Sequence, residues 1–180
     1  MQKDYLTLHV SAGTFQPIKA ETVHDHPMHR EQIIVTKKNV ENLLKAETVI
    51  PVGTTSLRTL ESLYWYGVKL LNGESDFFIP KLYPYSHLEP PNKNESLQAV
   101  LNFMIENQTT HLIGYTEIFI FPSYTFRMCA GLITNFHLPG STLILLVAAL
   151  IGEDWKKVYE EALDKDYRFL SYGDSSILLP

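Results

Sequence analysis

The chain has little cysteine and no long apolar run, and each shortage excludes a class of protein. Cys129 is the single cysteine among 180 residues, which rules out an internal disulfide and a cysteine-based metal cage. The longest apolar stretch, residues 143–151, is far shorter than the ~20 residues that a membrane-spanning helix needs. No signal-peptide pattern opens the sequence. These absences predict a cytoplasmic protein that does not enter membranes.

Positive charge is also scarce. Fifteen Lys and Arg residues stand against twenty Asp and Glu residues, which gives a formal charge of −5. This balance argues against a module that grips nucleic acid over its whole surface, although it is compatible with a local basic strip. With 45% hydrophobic residues, a chain of this length is predicted to form one domain over residues 1–180.

Strand and helix patterns alternate along the sequence. Apolar residues at period two, or in short runs, predict strands at residues 5–10, 48–52, 77–80, 116–121 and 132–136. Apolar residues at helical spacing predict helices at residues 36–46, 53–67, 97–105, 141–151 and 155–163. The alternation predicts an α/β fold: a layered α/β/α domain with a mainly parallel sheet. Residues 66–110 contain an irregular, proline-rich part and are interpreted as a variable excursion.

In α/β proteins, ligands gather beyond the carboxyl ends of strands, and the turn after residues 48–52 offers an anion site there. Gly53 permits close approach, and the hydroxyl groups of Thr54, Thr55 and Ser56 can donate hydrogen bonds at a helix start. Arg58 follows one turn later. A plain helix cap with an exposed Arg58 explains the same residues equally well. The turn lacks the spacing of a nucleotide P-loop.

A second polar cluster stands between a predicted strand and a predicted helix. Asn135 and His137 lie at the strand end, which is an arrangement typical of active sites. The alternative is that His137 only pins the loop through a backbone hydrogen bond. Near the end of the chain, Tyr172 and Asp174 add a ring and a carboxylate at a predicted turn.

Other reactive side chains receive a structural interpretation. His24, His26 and His29 are close in sequence, but Pro27 disrupts regular geometry and no Cys or acidic residue stands at a recognised metal spacing. We therefore predict no metal site, and either local hydrogen bonding or a substrate contact for these histidines. Cys129 lies in an apolar run, which favours a buried structural thiol over a nucleophile.

Five motifs, in the same order, resemble those of the S-adenosylmethionine:tRNA ribosyltransferase-isomerase family of queuosine biosynthesis. They are LHVSAGTFQP (8–17), DHPMH (25–29), VGTTSLRTLES (52–62), TNFHLPGSTL (134–143) and YRFLSYGD (167–174). The resemblance runs from Leu6 to Leu179 apart from residues 66–110, which look longer and different in this sequence. Five ordered motifs make the resemblance highly specific.

The resemblance implies an enzyme that transfers the ribosyl moiety of S-adenosylmethionine to 7-aminomethyl-7-deazaguanine at the wobble position of tRNA. The enzyme also isomerises that moiety, which gives epoxyqueuosine-tRNA. S-adenosylmethionine is consumed as a substrate, so no separate cofactor is expected. The family has an α/β domain with an inserted β-barrel domain, and this chain is expected to correspond to the later part, without the barrel. No oligomeric state is implied.

Chemical reasoning on the matching residues nominates a base and groups that hold the substrates. The catalytic candidates are His9, His137 and Asp174. The candidates for binding substrate are Thr14, Gln16, Gly53, Thr54, Thr55, Ser56, Arg58, Asn135 and Tyr172. The turn with Arg58 suits the methionine carboxylate or a tRNA phosphate, and Asp174 can accept a proton or pair with Arg58.

Two alternatives stay open at this point. The first is a catalytically incomplete fragment of a larger enzyme, which a chain opening almost directly in a core-type strand favours. The second is a small-molecule transferase that does not act on tRNA, which the modest positive charge favours.

Overall fold

The computed structural model describes residues 2–9, 25–87, 89–170 and 173–180. Within these ranges the strands are β1 (Thr7–His9), β2 (Glu31–Thr36), β3 (Phe78–Ile79), β4 (His111–Thr116), β5 (Leu132–Asn135) and β6 (Ser175–Leu178). The helices are α1 (Lys37–Lys45), α2 (Thr54–Leu71), α3 (Lys93–Glu106), α4 (Thr142–Ile151) and α5 (Asp154–Asp164), with a 3₁₀ helix at Tyr83–Ser86. None of these helices is both long and apolar enough to cross a membrane.

Two sheets organise the described residues. The first has the strand order β1-β2-β4-β3, in which β3 and β4 are parallel and the other neighbours are antiparallel. The second joins β5 and β6 antiparallel, and Val52 adds a single parallel bridge to Ile133 of β5. The mixed α/β class is therefore confirmed, whereas the prediction of a mainly parallel sheet is wrong.

The reason is visible in the connection between α1 and α2. The strand predicted at residues 48–52 forms one parallel bridge, from Val52 to Ile133, and accepts the Ala130 and Ile133 N–H groups at the Val49 and Pro51 carbonyls (2.9 Å each), so α1 and α2 follow each other without a full strand between them. A parallel sheet is built from strand-helix-strand units, and this part of the chain does not complete one.

The strand predicted at residues 116–121 is also misplaced. The strand β4 ends at Thr116, and its side chains alternate between exposed and buried positions. Ile118, Phe119 and Ile120 are buried and follow the strand, and the backbone bonds of β4 to the β3 segment continue only as far as Phe119, through Glu117 N–H to the Ile79 carbonyl (2.9 Å) and Phe119 N–H to the Lys81 carbonyl (3.1 Å). An apolar run reports burial, and burial alone does not produce a ladder.

The helix predictions hold better because their signals are local. Thr36 caps α1 in a capping box with Asn39, as the sequence predicts. Gly67, however, does not end α2, which continues to Leu71. A Cβ at Gly67 would lie 2.1 Å from Ser96 Oγ in α3, so this glycine permits close packing of two helices.

The core lies where α1, α2 and α3 pack together beside the first sheet. Residues 66–110 are part of it, because Tyr66, Ile79, Leu97 and Met104 are all buried. The same packing encloses α2 along most of its length, since every residue from Leu57 to Lys69 is buried. Helix α2 therefore provides a fixed frame for the residues at its amino end.

Candidate functional site

The amino end of α2 is the point where the two sheets meet. The Gly53 N–H donates to the Ile133 carbonyl of β5 (2.8 Å). Further along the same helix, the Arg58 side chain reaches Glu31 at the start of β2. The turn that the sequence predicts as an anion site therefore stands between β2 on one side and β5 on the other.

The turn itself has the geometry expected of a helix start. Gly53 has φ +91°, a left-handed conformation that favours glycine. The Thr54 side chain is buried, and those of Thr55 and Ser56 are half-buried. Among the described residues, no side chain caps this end of α2, and a helix start without a cap is the kind of site at which backbone N–H groups can bind an anion.

Arg58 is buried, with only 3% of its surface exposed, so the interpretation as an exposed arginine after a plain cap is wrong. Its Nη1 lies 3.0 Å from Glu31 Oε2, and its Nε donates to the Ile118 carbonyl (3.2 Å). Among the described residues, Nη2 has no hydrogen-bond partner. Burial lowers the pKa of this guanidinium, and the negative charge of Glu31 opposes that shift.

Glu31 and His29 are the neighbours of Arg58 that sequence reasoning did not nominate. His29 Nε2 lies 3.0 Å from Glu31 Oε1 and 3.3 Å from Arg58 Nη1. A signal for Glu31 was present, because the period-two pattern of β2 puts it on the same face as Ile33 and Val35. A carboxylate on the apolar face of a strand is rare unless it is paired.

His9 lies at the same end of the first sheet. It is exposed on β1, and its backbone pairs with Gln32, the residue after Glu31. Thr14 and Gln16 lie outside the described residues, so the structure does not place these two candidates relative to His9.

Asn135 and Asp174 are brought together beside the amino end of α2. Asn135 ends β5, and its Nδ2 donates to the Asp174 carbonyl (3.4 Å) and to Ser175 Oγ (3.3 Å). The Asp174 carboxylate accepts the Arg168 backbone N–H (2.8 Å), and this bond lowers the pKa of Asp174. Asp174 therefore pairs with Arg168 and not with Arg58. Tyr172 lies outside the described residues.

His137 is buried two residues beyond the end of β5. Its Nε2 lies 3.0 Å from Thr134 Oγ1, and its backbone N–H donates to the Tyr159 hydroxyl (3.1 Å). Burial lowers the pKa of His137 to about 4, so the imidazole is neutral at neutral pH. The side chain therefore pins its loop, as the alternative interpretation proposed, although through a threonine hydroxyl.

Glu61 is a further residue that sequence reasoning missed. Its buried carboxylate accepts the Tyr124 hydroxyl (2.8 Å) and the backbone N–H groups of Arg127 (3.0 Å), Met128 (3.0 Å) and Cys129 (3.1 Å). Burial raises the pKa of Glu61, and these hydrogen bonds oppose the shift. Helix α2 thereby holds the segment that leads into β5.

Two expectations about reactive groups concern this neighbourhood. Cys129 is buried, which confirms its structural interpretation, and burial together with Glu61 raises the pKa of its thiol. Within the described ranges, no three His, Cys, Asp or Glu side chains are grouped as metal ligands would be.

A family model described as "Queuosine biosynthesis protein" matches residues 1–89 and 95–178. The match includes residues 66–89 and 95–110, so the family model covers most of the segment interpreted as a variable excursion.

Named relatives agree with this match. Two S-adenosylmethionine:tRNA ribosyltransferase-isomerases align with 97% of this chain. The protein of Legionella pneumophila (strain Lens) is 41% identical to it, and that of Thermoanaerobacter sp. (strain X514) is 37% identical. The crystal structure of the S-adenosylmethionine tRNA ribosyltransferase of Thermotoga maritima is similar over 83% of the chain, with 30% identity and a TM-score of 0.54.

This chain is shorter than those proteins. It spans 42% of the Legionella relative, 41% of the Thermoanaerobacter relative and 41% of the Thermotoga protein. The family match nevertheless covers both sides of the candidate site, from Glu31 and Arg58 to Asn135 and Asp174. The chain therefore belongs to the queuosine biosynthesis protein family.

Proposed function

We propose that this chain transfers the ribosyl moiety of S-adenosylmethionine to 7-aminomethyl-7-deazaguanine at the wobble position of tRNA and isomerises it to give epoxyqueuosine-tRNA. S-adenosylmethionine is then a consumed substrate, and tRNA is the macromolecular partner in the cytoplasm. The names of the relatives support both substrates.

One observation supports this function above the others. The turn at Gly53, which starts α2, is bonded to Ile133 of β5, and the same strand leads to Asn135, which contacts Asp174, and to the buried imidazole of His137; all of them lie within the residues that the family model matches. S-adenosylmethionine presents a carboxylate, a sulfonium and a ribose, and a group-transfer reaction needs a proton acceptor close to them. The site offers a group of each kind.

We assign the roles according to burial. The N–H groups after Gly53 bind the methionine carboxylate or a tRNA phosphate, assisted by the hydroxyls of Thr55 and Ser56. Arg58 is buried beside Glu31, so it holds the turn in place and contributes Nη2 to a ligand only if its surroundings shift. Asn135 orients a base or a sugar hydroxyl.

His9 and His137 remain the two candidates for the base. His137 is neutral at neutral pH and can accept a proton, but a pKa of about 4 makes it a weak base. His9 is exposed on the neighbouring sheet end. We expect His137→Asn and His9→Asn to differ, and the true base to lower kcat by about 10²- to 10⁴-fold with little change in KM.

The incomplete fragment remains the second candidate, because the chain spans about two fifths of its curated relatives. A small-molecule transferase without tRNA is the third, because a chain of charge −5 has no overall field that attracts an anionic polymer. Binding of tRNA by this chain must use a local basic strip and must weaken steeply with salt.

The deciding experiment is label transfer by the purified 180-residue chain, made in a host that lacks its own enzyme. S-adenosylmethionine carries the label in its ribose, and tRNA carries either 7-aminomethyl-7-deazaguanine or guanine at the wobble position. Multiple-turnover labelling of the first tRNA alone supports the proposal. Release of adenine without tRNA indicates the small-molecule reaction, and no reaction indicates the incomplete fragment.

A further inference from the structure

The side chains of His29, Glu31 and Arg58 form one network, and His29 is the member that reaches the surface. Its side chain is 16% exposed, against 0% for Glu31 and 4% for Arg58. Glu31 Oε2 pairs with Arg58 Nη1 (3.0 Å), and Glu31 Oε1 contacts His29 Nε2 (3.0 Å). A molecule that approaches this network from solvent therefore meets the imidazole of His29 first.

The buried carboxylate fixes which nitrogen of His29 carries the hydrogen. A carboxylate only accepts hydrogen bonds, so we assign the hydrogen of the neutral ring to Nε2, the atom that lies 3.0 Å from Glu31 Oε1. The longer distance from Nε2 to Arg58 Nη1 (3.3 Å) agrees with this assignment, because both of these atoms are then donors. The lone pair is left on Nδ1, which makes Nδ1 the basic nitrogen of His29.

The network lies beside the candidate site. Arg58 is near the amino end of α2, and the side chains of a helix lean toward its amino end, where the Gly53 turn lies. Glu31 pairs with Thr116, the last residue of β4, so Glu31 and His29 are at the end of the first sheet where β3 and β4 finish. Loops beyond the carboxyl ends of parallel strands are where ligands of α/β proteins bind.

We propose that His29 is the proton acceptor of this site and that Glu31 is the positioning residue that orients it. The inference rests on the proposed function and deepens it. Attaching a ribosyl group to an amine replaces an N–H bond by an N–C bond, so the nitrogen must lose a proton. The electron pair of the N–H bond stays on that nitrogen, and the proton moves to Nδ1 of His29. The carboxylate behind the ring then stabilises the imidazolium.

The two histidines nominated from the sequence have no comparable support. The buried His137 contacts a threonine hydroxyl, and its pKa of about 4 makes it a weak base. His9 is exposed on β1. Within the described ranges, His29 is the one histidine that pairs with a carboxylate. A carboxylate that holds an imidazole in one tautomer is the arrangement by which a histidine serves as a general base.

The tautomer of His29 tests this geometry without any need for activity. Nitrogen-15 NMR of the imidazole at mildly alkaline pH distinguishes a ring nitrogen that carries hydrogen from one that carries a lone pair, and His29→Gln identifies the signal by its loss. In the 180-residue chain we expect the hydrogen on Nε2, and a weaker preference for that tautomer in Glu31→Gln. A wild-type His29 with its hydrogen on Nδ1 overturns the proposal, because that atom could not accept a proton.

Label transfer tests the chemistry. His29→Gln keeps an N–H donor for Glu31 but removes the base, so kcat should fall about 10²- to 10⁴-fold, with little change in KM or in the urea denaturation midpoint. His111→Gln is the matched control, because His111 is exposed at the opposite end of β4, and it should keep the wild-type rate. Full activity of His29→Gln overturns the proposal, and so does a loss that only follows the folded fraction.

Failure of this inference is distinguishable from failure of the proposed function. A wild-type chain that transfers no label contradicts the proposed function, and the same substitutions are then made at the aligned positions of the full-length Legionella relative. A loss of kcat there that is confined to the position of His29 supports the inference. Full activity of that variant, or a residue other than histidine at this position of the active relative, overturns it.

Discussion

The two sides of the candidate site handle charge in opposite ways. On the side of the first sheet, Glu31 and Arg58 are both charged residues in the interior, with side-chain exposures of 0% and 4%. On the side of the second sheet, the buried group is a neutral imidazole, His137, and the charged group, Asp174, stays near water. On the first side, two buried charges are paired with each other, and on the second side the charged Asp174 stays near water while the buried His137 is neutral.

Because of this difference, the two sides should lose stability for different reasons. A buried ion pair is costly to break because the remaining charge has no water and no partner. A buried histidine that is neutral has little effect on stability at neutral pH, but it destabilises the folded state at low pH, where the imidazole must take up a proton without water around it. The two sides should therefore fail under different perturbations, the first under substitution and the second under acid.

Arg58→Ala should produce the largest loss of stability. Removing the guanidinium leaves Glu31 buried without its cation, and we expect the free energy of unfolding to fall by about 3–5 kcal/mol. Urea denaturation measures the loss. Arg168→Ala, which removes the exposed partner of Asp174, is the control and should have a much smaller effect. Similar losses for the two variants would contradict the comparison.

The double variant Arg58→Met with Glu31→Leu sharpens this test. Replacing both charges by apolar side chains also removes the buried carboxylate that has lost its guanidinium, so part of the stability lost in Arg58→Ala should return. No recovery would mean that packing of the arginine stem, and not the ion pair, accounts for the loss.

Low pH should destabilise the side of the second sheet, where His137 is buried. The pKa of His137 falls from 6.5 to about 4 on folding, so below pH 6.5 the unfolded state binds more protons than the folded state. His137 therefore lowers the free energy of unfolding by up to about 3 kcal/mol as the pH falls from 6.5 to 4. Above pH 6.5 it has no such effect. His137→Gln should remove this part of the slope, whereas the exposed His9→Gln should keep it. A wild-type slope in His137→Gln contradicts the prediction.

Glu61 connects the two sides, and its loss should be intermediate. In Glu61→Gln one carboxylate oxygen becomes an amide that faces backbone N–H donors, and we expect a cost of about 2 kcal/mol. Hydrogen exchange should accelerate at the amides of Met128 and Cys129. Glu160→Gln, on an exposed residue of α5, is the control. Unchanged exchange at these two amides would show that Glu61 does not hold the segment.

Asp174→Asn should have the smallest effect on stability. The side chain is only partly buried, and asparagine retains an oxygen for the Arg168 N–H. We expect the denaturation midpoint to stay within experimental error at pH 7, while label transfer falls if Asp174 takes part in the reaction. A clear loss of stability would mean that the second side also depends on its charge.

Features that depend on residues close together in the sequence were predicted, and features that depend on contacts between distant segments were not. The start of α1 at Thr36, the amino end of α2 at Gly53 and the bounds of α4 were all predicted, because caps and helical periodicity act over a few residues. The end of α2 was not, since Gly67 serves a contact with Ser96 in another helix.

The candidate site shows the same division. The glycine turn before α2 and the strand-end positions of Asn135 and His137 were predicted from local motifs. The partners Glu31 and Glu61 were not, because each is joined to its donors by contacts between residues far apart in the chain. The catalytic and binding roles of all the nominated residues remain predictions, and Thr14, Gln16 and Tyr172 lie outside the described residues.

The sequence by itself determined the helix starts, the family motifs and the residues available for chemistry, because these depend on near neighbours and residue identity. Only the tertiary structure decided that the sheets are largely antiparallel, that Arg58 is buried against Glu31, and that His29 contacts this pair. Strand direction and the burial of a charge depend on which distant segments meet, and hydrophobic burial does not specify that partner.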